Sequence, residues 1–500
     1  MGKIKSILSL LFARYVIHNN KKWKNNAILY QEKIMRHLIN SAVNTKFGAD
    51  HSFKEIQSYG DFKESIPVRD YEGFKDYIDC VKSGEENILW PGTPIYLSKT
   101  SGTTSGVKYI PITKESISCH LRPARDAILN YIHETKNASL ANGKMIFLQG
   151  SPRLSKTSGI LTGRLSGIVA HHIPFYLKAN RLPSYNTNCI EDWEKKVDSI
   201  VDETISENMT LISGIPPWVQ MYFEKLIKKS NKKIKDLFPN FQLFIYGGVN
   251  YRPYAKTFSR LIGEDIDEIE VYPASEGFIA YQDSQKEDGM LLCVNNGIFF
   301  EFIKTDDFSS PNPTRISLSG VKLGVDYVIL LSTNAGLWGY NIGDTIRFTS
   351  INPYRIIVSG RIKHFTSAFG EHVIAQEVDE SMNKAVLKHS AEVKEFHVAP
   401  QINPQKGLPY HQWFIEFITE PKDSNLFTKD LDGYLQNKNS YYKDLIVGNV
   451  LKQLEITKIK KNGFNQYMQS IGKLGGQNKV PRLSNDREIA EKLILLQYKS

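Results

Sequence analysis

The sequence predicts an α/β fold, a large amino-terminal body of packed β-sheets and helices followed by a smaller and more basic carboxy-terminal part. Three observations carry this. Amphipathic helical stripes alternate with short apolar runs through most of the 500 residues. The short runs are rich in β-branched and aromatic residues and are bounded by turn residues, as strands are. Strands separated by helices imply sheets with helices packed on their faces. A composition of 41% hydrophobic and 23% charged residues with four cysteines excludes a disordered tail, a collagen and a disulfide scaffold.

Along the chain, Tyr30, Ile34 and Leu38 recur every four residues and predict a helix ending near Gly48. Met145–Leu148 reads as a strand. Trp193, Val197, Ile200, Val201, Thr204 and Ile205 form a second helical stripe, and Trp218 to Ile227 a third, opened by Pro216-Pro217 in its first turn. Phe241–Tyr246, Ile269–Tyr272, Ile298–Ile303, Asp326–Leu331 and Trp413–Ile418 follow as strands. No repeat of fixed period and no low-complexity tract interrupts them. A boundary is expected around Ser359-Gly360-Arg361, where a strand run meets a polar, glycine-punctuated stretch, dividing the chain into residues 1–360 and 361–500.

The net charge of +10 sits at the ends. Residues 1–40 carry eight Lys/Arg against one Glu, residues 421–500 fourteen against eight acids, and the remainder is mildly acidic. Nucleic-acid binding needs basic residues grouped on one face, so that class is disfavoured. Cys80, Cys119, Cys189 and Cys293 are widely spaced with no CxxC, which suits neither zinc nor disulfides and points to a reducing, cytoplasmic setting. Ile7 to Ile17 is too short to span a bilayer and lacks a small-residue cleavage site. Residues 1–24 read first as a helix packed on the body and second as a surface-seeking amphipathic helix with weak membrane contact; Met1-Gly2 with Ser6 also fits the loose myristoylation pattern.

Three segments carry chemistry. From Lys99 to Gly106, seven of eight residues are Ser, Thr or Gly, and Lys108 follows. Backbone N–H groups turned inward, hydroxyl donors and a lysine suit triphosphate oxygens. The spacing is not that of a Walker A loop, and a solvent-facing turn is the ordinary alternative. Val271-Tyr272-Pro273-Ala274-Ser275-Glu276-Gly277 closes the strand Ile269–Tyr272, where ligands settle in open α/β sheets. The Tyr272 ring can lie on a purine and the Glu276 carboxylate can take magnesium bridging phosphates; a solvated turn with a buried tyrosine is the alternative. In the stretch Gly336 to Asp344, Asp344 can accept the hydroxyls of a ribose or simply cap an Asx-turn. Phe244 to Gly248 ends a strand in Gly247-Gly248, allowing a flat base close to backbone. The adjacent His171-His172 read as structural rather than as metal ligands. Gly159, Gly163 and Gly167, or Pro216-Pro217-Trp218, are candidates to border a small acid, though ordinary loop and helix-start roles serve each as well.

In this order the segments resemble the auxin-responsive (Gretchen Hagen) acyl-acid amido synthetase family, within the adenylate-forming group of acyl-CoA synthetases, adenylation domains and luciferases. Thr100–Lys108 is similar to its phosphate motif, Tyr272–Glu276 to its tyrosine-to-Ser-Glu motif and Tyr340–Asp344 to its Tyr-x-x-Gly-Asp motif. Gly360–Gly370 looks like the crossover into its mobile carboxy-terminal domain, and Asn478–Arg482 like its lysine-bearing stretch. The chain departs at Pro273, where many members have Gly, and at Gly339-Tyr340-Asn341, where many have Arg-Tyr-Arg.

The resemblance implies a luciferase-like body with a carboxy-terminal α+β lid that uses ATP and Mg²⁺. The first step would join a small carboxylic acid to AMP, and the second would pass the acyl group to an amine, usually an amino acid. Ser101, Gly102, Thr103, Thr104 and Ser105 would grip the β- and γ-phosphates, with Lys108 nearby or facing solvent. Gly247, Gly248 and Tyr272 would flank the adenine, Asp344 would fix the ribose, Ala274, Ser275 and Arg361 would belong to the nucleotide site, Glu276 would hold Mg²⁺, and Lys479 would stand between the carboxylate and the α-phosphate. Delivery to coenzyme A or another thiol, and non-catalytic nucleotide binding, are the competing expectations.

Overall fold

The computed structural model describes residues 2–498 except 104–105, 174–177, 250, 252–253, 309, 363–364, 367, 372 and 472–479. Among the described residues the strands form four sheets. The largest is built in two halves. Its antiparallel half runs in the order β13 (Ile316–Ser317), β12 (Ile298–Lys304), β14 (Asp326–Thr333), β15 (Tyr340–Ile351), β16 (Tyr354–Arg361), β11 (Met290–Leu292) and β10 (Gly277–Tyr281). Its parallel half continues with β9 (Asp267–Ala274), β8 (Leu243–Gly247), β7 (Met209–Ser213), β3 (Lys144–Phe147) and β6 (Arg181–Leu182). The halves join at the β9–β10 hairpin, where Ala274 faces Gly277 across the turn Ser275–Glu276.

A second sheet in the order β2 (Gly106–Ile112), β1 (Tyr96–Thr103), β5 (Ile160–Gly163) and β4 (Ser155–Thr157) stands beside it. Beyond β16 come the pair β17 (Phe365–Thr366) and β18 (Val373–Ile374), then the sheet β19 (Glu392–Gln401), β20 (Tyr410–Thr419) and β21 (Glu455–Lys458).

The central parallel strands β7 and β8 are largely apolar on both faces, as burial between helix layers requires. Ile146, Ile212 and Phe244 pack with Val197, Val201, Val219, Phe223 and Phe258 of the helices Trp193–Thr204, Pro216–Ser230 and Ala255–Ile262. On the other face Leu211, Leu243 and Ile269 share a core with Leu129 and Ile132 of the helix Ser116–Thr135. That helix in turn supports α1 (Gly2–Lys24) through Ala13, Val16 and Trp23. The buried ion pair of Arg315 and Glu301, at 2.6 Å between Nη2 and Oε2, fixes the sheet edge to the amino-terminal helices, because Arg315 also donates to the carbonyls of Lys63 and Ile66. Removing one partner of such a pair strands a buried charge, at a cost of about 3–5 kcal/mol.

Most expected elements are present with shifted ends. The first helix, α2 (Ala27–Ala42), stops six residues before Gly48; Thr45 then caps the short helix Lys46–Asp50 by accepting from the Gly48 N–H at 3.0 Å. Its stripe ran on in the sequence, but a Cβ on Gly48 would lie 2.2 Å from the Ala42 carbonyl oxygen, so the chain folds back there. The expected boundary around Ser359-Gly360-Arg361 lies in strand rather than loop, since Gly360 and Arg361 pair with Thr345 and Asp344.

Burial holds His120, on the helix Ser116–Thr135, down at about 4 from its usual 6.5. The fold tolerates the neutral ring. Its contribution is therefore complete above pH 6.5 and is lost as pH falls toward 4, a loss of about 3 kcal/mol. Denaturant unfolding across this window should show that fall, and His120→Leu should flatten it; an unaltered slope in the variant would assign the titration elsewhere.

Candidate active site

The carboxyl ends of β3, β7, β8 and β9 lie along one edge of the parallel half, the edge at which α/β sheets receive ligands. The β9–β10 turn stands on that edge. The hydroxyl-rich segment approaches it as the tip of the β1–β2 hairpin, whose strands pair from Tyr96 and Ile112 out to Thr103 and Gly106. Thr104 and Ser105 lie outside the described residues, as do the side chains of Ser101 and Thr103; the backbone of Ser101, Gly102 and Thr103 is the end of β1.

Hydrogen bonds tie the three segments together. Ser98 on β1 and Ser275 in the turn share a contact of 2.9 Å between their hydroxyls. Lys108 Nζ lies 3.5 Å from the Tyr340 hydroxyl, which donates to Glu276 Oε1 at 3.3 Å. Burial, with the Glu276 carboxylate next to it, holds the Tyr340 phenol far above its ordinary value, so it remains a donor at any working pH. Tyr272 donates to Asp344 Oδ2. Glu276 and Asp344 are both buried. Tyr71 flanks the hairpin: its hydroxyl accepts from the Tyr109 N–H at 2.9 Å, its ring lies 5.8 Å from Lys108 Nζ, and burial pushes its phenol up to about 12.

Two local expectations change. Asp344 is in β15 opposite Arg361 rather than in a turn; the Asx-turn belongs to Asn341, whose Oδ1 accepts from the Gly343 N–H at 2.9 Å. The sequence placed the turn on the aspartate because glycine precedes it, but Gly343, at φ 91°, bends the strand without ending it. Gly247 is glycine because its strand neighbour needs the space: a Cβ would lie 2.2 Å from the Val271 carbonyl oxygen. Gly248, at φ 82°, has nothing within 4 Å of a Cβ and leaves that side of the strand end open.

Lys479 lies outside the described residues, and so does the side chain of Arg361. The neighbouring segment is pinned along β19, with Val398 donating to the Arg482 carbonyl at 2.9 Å and His397 Nδ1 lying 2.7 Å from the Pro481 carbonyl oxygen. Val480 is buried with Ala399 and Phe414 on one face of the three-stranded sheet. The opposite face, carrying Val398, Trp413 and Ile415, shares a core with Val378, Met382, Phe427 and Leu431 of its own helices, which Trp218 and Met221 of the body join at the margin. Val480 is thus on the face away from the core that Trp218 and Met221 join.

The residues that meet the hairpin from the carboxy-terminal side were not legible in the sequence. β18 lies against β1. From the helix Ser440–Val447, Asp444 pairs with Arg164 at 2.5 Å, Tyr441 lies under the Arg164 guanidinium at 4.3 Å, and the Tyr441 hydroxyl reaches the Lys99 carbonyl oxygen at 3.5 Å. Neither an isolated arginine in a Gly/Ser stretch nor a tyrosine in a helix carries a signal for such a contact.

Of the other glycine candidates, Gly159 at φ 86° has nothing within 4 Å of a Cβ, while two are closely packed. A Cβ on Gly163 would meet Leu154, and one on Gly167 the Ser151 carbonyl. His171 contacts the Pro152 carbonyl oxygen and His172 the Tyr96 hydroxyl, two separate partners. Among the described residues no three of His, Cys, Asp and Glu converge as a metal cage.

Comparisons with known proteins agree along the chain. Models of the GH3 family match in three parts: its N-terminal domain at residues 16–188, its central domain at 291–361 and its C-terminal domain at 376–488. The jasmonoyl–L-amino acid synthetase JAR4 of Nicotiana attenuata is 23% identical over 353 residues, an alignment spanning 57% of this chain and 60% of that enzyme. JAR6 of the same plant is 22% identical over 84% of this chain and 85% of its own length. The indole-3-acetic acid-amido synthetase GH3.3 of Arabidopsis thaliana is 19% identical over 94% and 91%. Among solved structures, the GH3.15 acyl acid amido synthetase superposes with a TM-score of 0.61 at 15% identity, over 96% of this chain and 95% of that one. A 2-hydroxyisobutyryl-CoA ligase superposes with a TM-score of 0.60 at 12% identity, over 95% and 92%. At these identities the superpositions establish a shared fold, the large α/β body with its carboxy-terminal domain. With three family models matched in order over most of its length, the chain belongs to the GH3 family.

Proposed function

We propose that the protein is an ATP-dependent acyl acid amido synthetase, which adenylates a carboxylic acid and transfers the acyl group to the amine of an amino acid. The observation that carries this reading is the convergence of Lys108, Tyr340, Glu276, Tyr272 and Asp344 at one edge of the sheet. The amine acceptor is favoured by the relatives, which are named as synthetases of jasmonoyl and indole-3-acetic acid amides.

A carboxylate is a poor acyl donor because its leaving group would be oxide. Attack of its oxygen on the α-phosphorus of ATP releases pyrophosphate and leaves a mixed anhydride, from which AMP departs readily when an amine attacks the carbonyl. The protein's work in the first step is to hold acid and phosphates in line and to neutralise charge. In this proposal the β1–β2 tip and Lys108 take the β- and γ-phosphates. Tyr272, Gly247 and Gly248 flank the base, and Asp344, held by Tyr272, receives the ribose hydroxyls.

Glu276 fits a magnesium ligand. Mg²⁺ in nucleotide sites is usually held by one or two carboxylates together with phosphates and water, so a single buried acid beside the phosphate hairpin suffices and no protein cage is needed. The ion would supply charge neutralisation between phosphate oxygens.

Residues 361–500 are proposed as a lid. The pose described here, with Tyr441 at the hairpin and Val480 on the far face, is read as the one for acyl transfer; a turn of the lid would bring Lys479 in for adenylation. Arg164, Tyr441 and Asp444 would hold the transfer pose. A cytoplasmic setting belongs to the same proposal and is supported by four cysteines without disulfides.

The test is a panel of carboxylic acids, including jasmonic and indole-3-acetic acid, screened for acid-dependent exchange of pyrophosphate into ATP, followed by amino acids against coenzyme A as acceptor. Exchange with an amide product is expected; a coenzyme A thioester would refute the acceptor, and ATP binding without exchange would refute the enzyme. Lys479→Ala should slow exchange roughly 10²–10³-fold while transfer from a supplied acyl-adenylate is largely kept. Equal loss in both steps would remove Lys479 from the adenylation role. Arg164→Ala should loosen the transfer pose by about 1 kcal/mol, read as roughly fivefold faster amide exchange across Ser440–Val447; unchanged protection would show that these contacts do not hold the lid.

A further inference from the structure

A helix that is apolar all round belongs between two layers. The segment Ile7–Tyr15 of α1 comes near this, with Ile7, Leu8, Leu10, Leu11, Phe12, Ala13 and Tyr15 interrupted by Ser9 and Arg14, and one of its sides is open. Ala13, Val16 and Trp23 face inward into the core shared with the helix Ser116–Thr135, and Ile17 is buried as well. The fit is fixed by polar contacts: Asn20 donates to Asp126 at 3.1 Å, Asn142 donates to the Ser6 hydroxyl at 2.9 Å, and Lys24 pairs with Asp283 at 2.8 Å. The outward side carries Ile7, Leu8, Leu11, Phe12 and Tyr15, which are 44–65% exposed. Scattered apolar residues on a surface need no cause, but five within nine positions on one helix form a patch.

The charges say what covers it. α1 contains six Lys/Arg and no acid. Lys5, Arg14, His18, Lys21 and Lys22 are exposed, so the outward side passes along its length from apolar to basic. The basic field extends onto the neighbouring helix: besides burial, the charges of Lys136, Lys21, Arg14 and Lys24 hold His133 below its ordinary value. A second copy of the chain seated on this side would bring like charges together with no acid from α1 to answer them. A layer of anionic headgroups over acyl chains meets both halves of the side at once, and a basic helix bearing leucine and aromatic residues is the kind that lies in that interface. No described helix is long and apolar enough to cross a membrane, so the contact is one of surface.

We infer that the outward side of α1 docks the protein on an anionic lipid surface, with Ile7, Leu8, Leu11, Phe12 and Tyr15 in the acyl boundary and Arg14, Lys21 and Lys22 at the headgroups. The inference stands apart from the reaction proposed above, since the patch is on the body's outer surface and shares no residue with the candidate site.

Sedimentation of the full chain with phosphatidylcholine vesicles, with and without phosphatidylglycerol, tests it. Binding to the anionic vesicles should exceed that to neutral ones roughly tenfold or more and weaken as salt rises. Leu8→Glu with Leu11→Glu should abolish binding while leaving the melting temperature and pyrophosphate exchange in solution unchanged, because both side chains face solvent. Arg14→Glu with Lys21→Glu should weaken it roughly tenfold or more. Failure to bind anionic vesicles, or binding indifferent to both double variants, overturns the inference. So does a concentration-dependent dimer that Leu11→Glu dissolves, which would give the patch to a second copy.

Discussion

The candidate site depends on a buried phenol. Tyr340 sits at the start of β15, and its hydroxyl lies between a lysine from the β1–β2 hairpin and a carboxylate from the β9–β10 turn. Buried charges are tolerated where they are paired or hydrogen-bonded, and this hydroxyl is a neutral donor to Glu276 that does not titrate in the working range. It also fixes distances. The turn bearing Glu276 is the seam between the parallel and antiparallel halves of the large sheet, so the two contacts of this hydroxyl, with Glu276 and with Lys108, couple that seam to the second sheet. Ser98 with Ser275 and Tyr272 with Asp344 repeat the coupling on either side. A site assembled from three segments distant in sequence is thus set by the registers of strands that are themselves core elements.

The legible part of this arrangement was the part encoded locally. Strands such as Ile298–Lys304 and Asp326–Thr333 show their apolar runs, and each chemical segment shows its own residue types in sequence. Their meeting shows nowhere, because it follows from strand order across twelve strands, and pairing partners leave no trace in a single chain. Asp344 was misread for a related reason. Gly343 before it signals a turn, yet tertiary pairing of β15 with β16 carries the strand through the glycine. Gly247 shows the converse: the glycine was noticed, but what it accommodates is Val271 on the adjacent strand. Contacts such as Arg164 with Asp444 and Tyr441 join residues about 280 positions apart and were out of reach of any local pattern.

The basic ends of the chain separate in the same way. In composition they look alike. In the fold, much of the carboxy-terminal excess is spent in pairs within the last sheet and its helices, including Lys458 with Glu420, Lys452 with Glu455, Arg482 with Glu395 and Arg487 with Glu491. On α1, by contrast, Lys24 pairs with Asp283, while Arg14, Lys21 and Lys22 are exposed around an apolar patch. Net charge alone does not distinguish a solvated, paired surface from a docking side; the neighbours do.

The carboxy-terminal sheet has two faces with different business, and strand alternation assigns them. Consecutive residues of β19 and β20 point oppositely. Val398 and Trp413 therefore look toward Val378, Met382, Phe427 and Leu431, in the core that Trp218 of the body joins, while Ala399 and Phe414 look toward Val480 and the final helix. Among the described residues the contacts between this part and the body are partly polar and include Tyr254 to the Ala368 carbonyl, the Arg164–Asp444 pair, Tyr441 to the Lys99 carbonyl and the packing of Trp218 and Met221. An interface of that kind can let go and re-form, and a family whose reaction has two chemically distinct steps has a reason to keep it so.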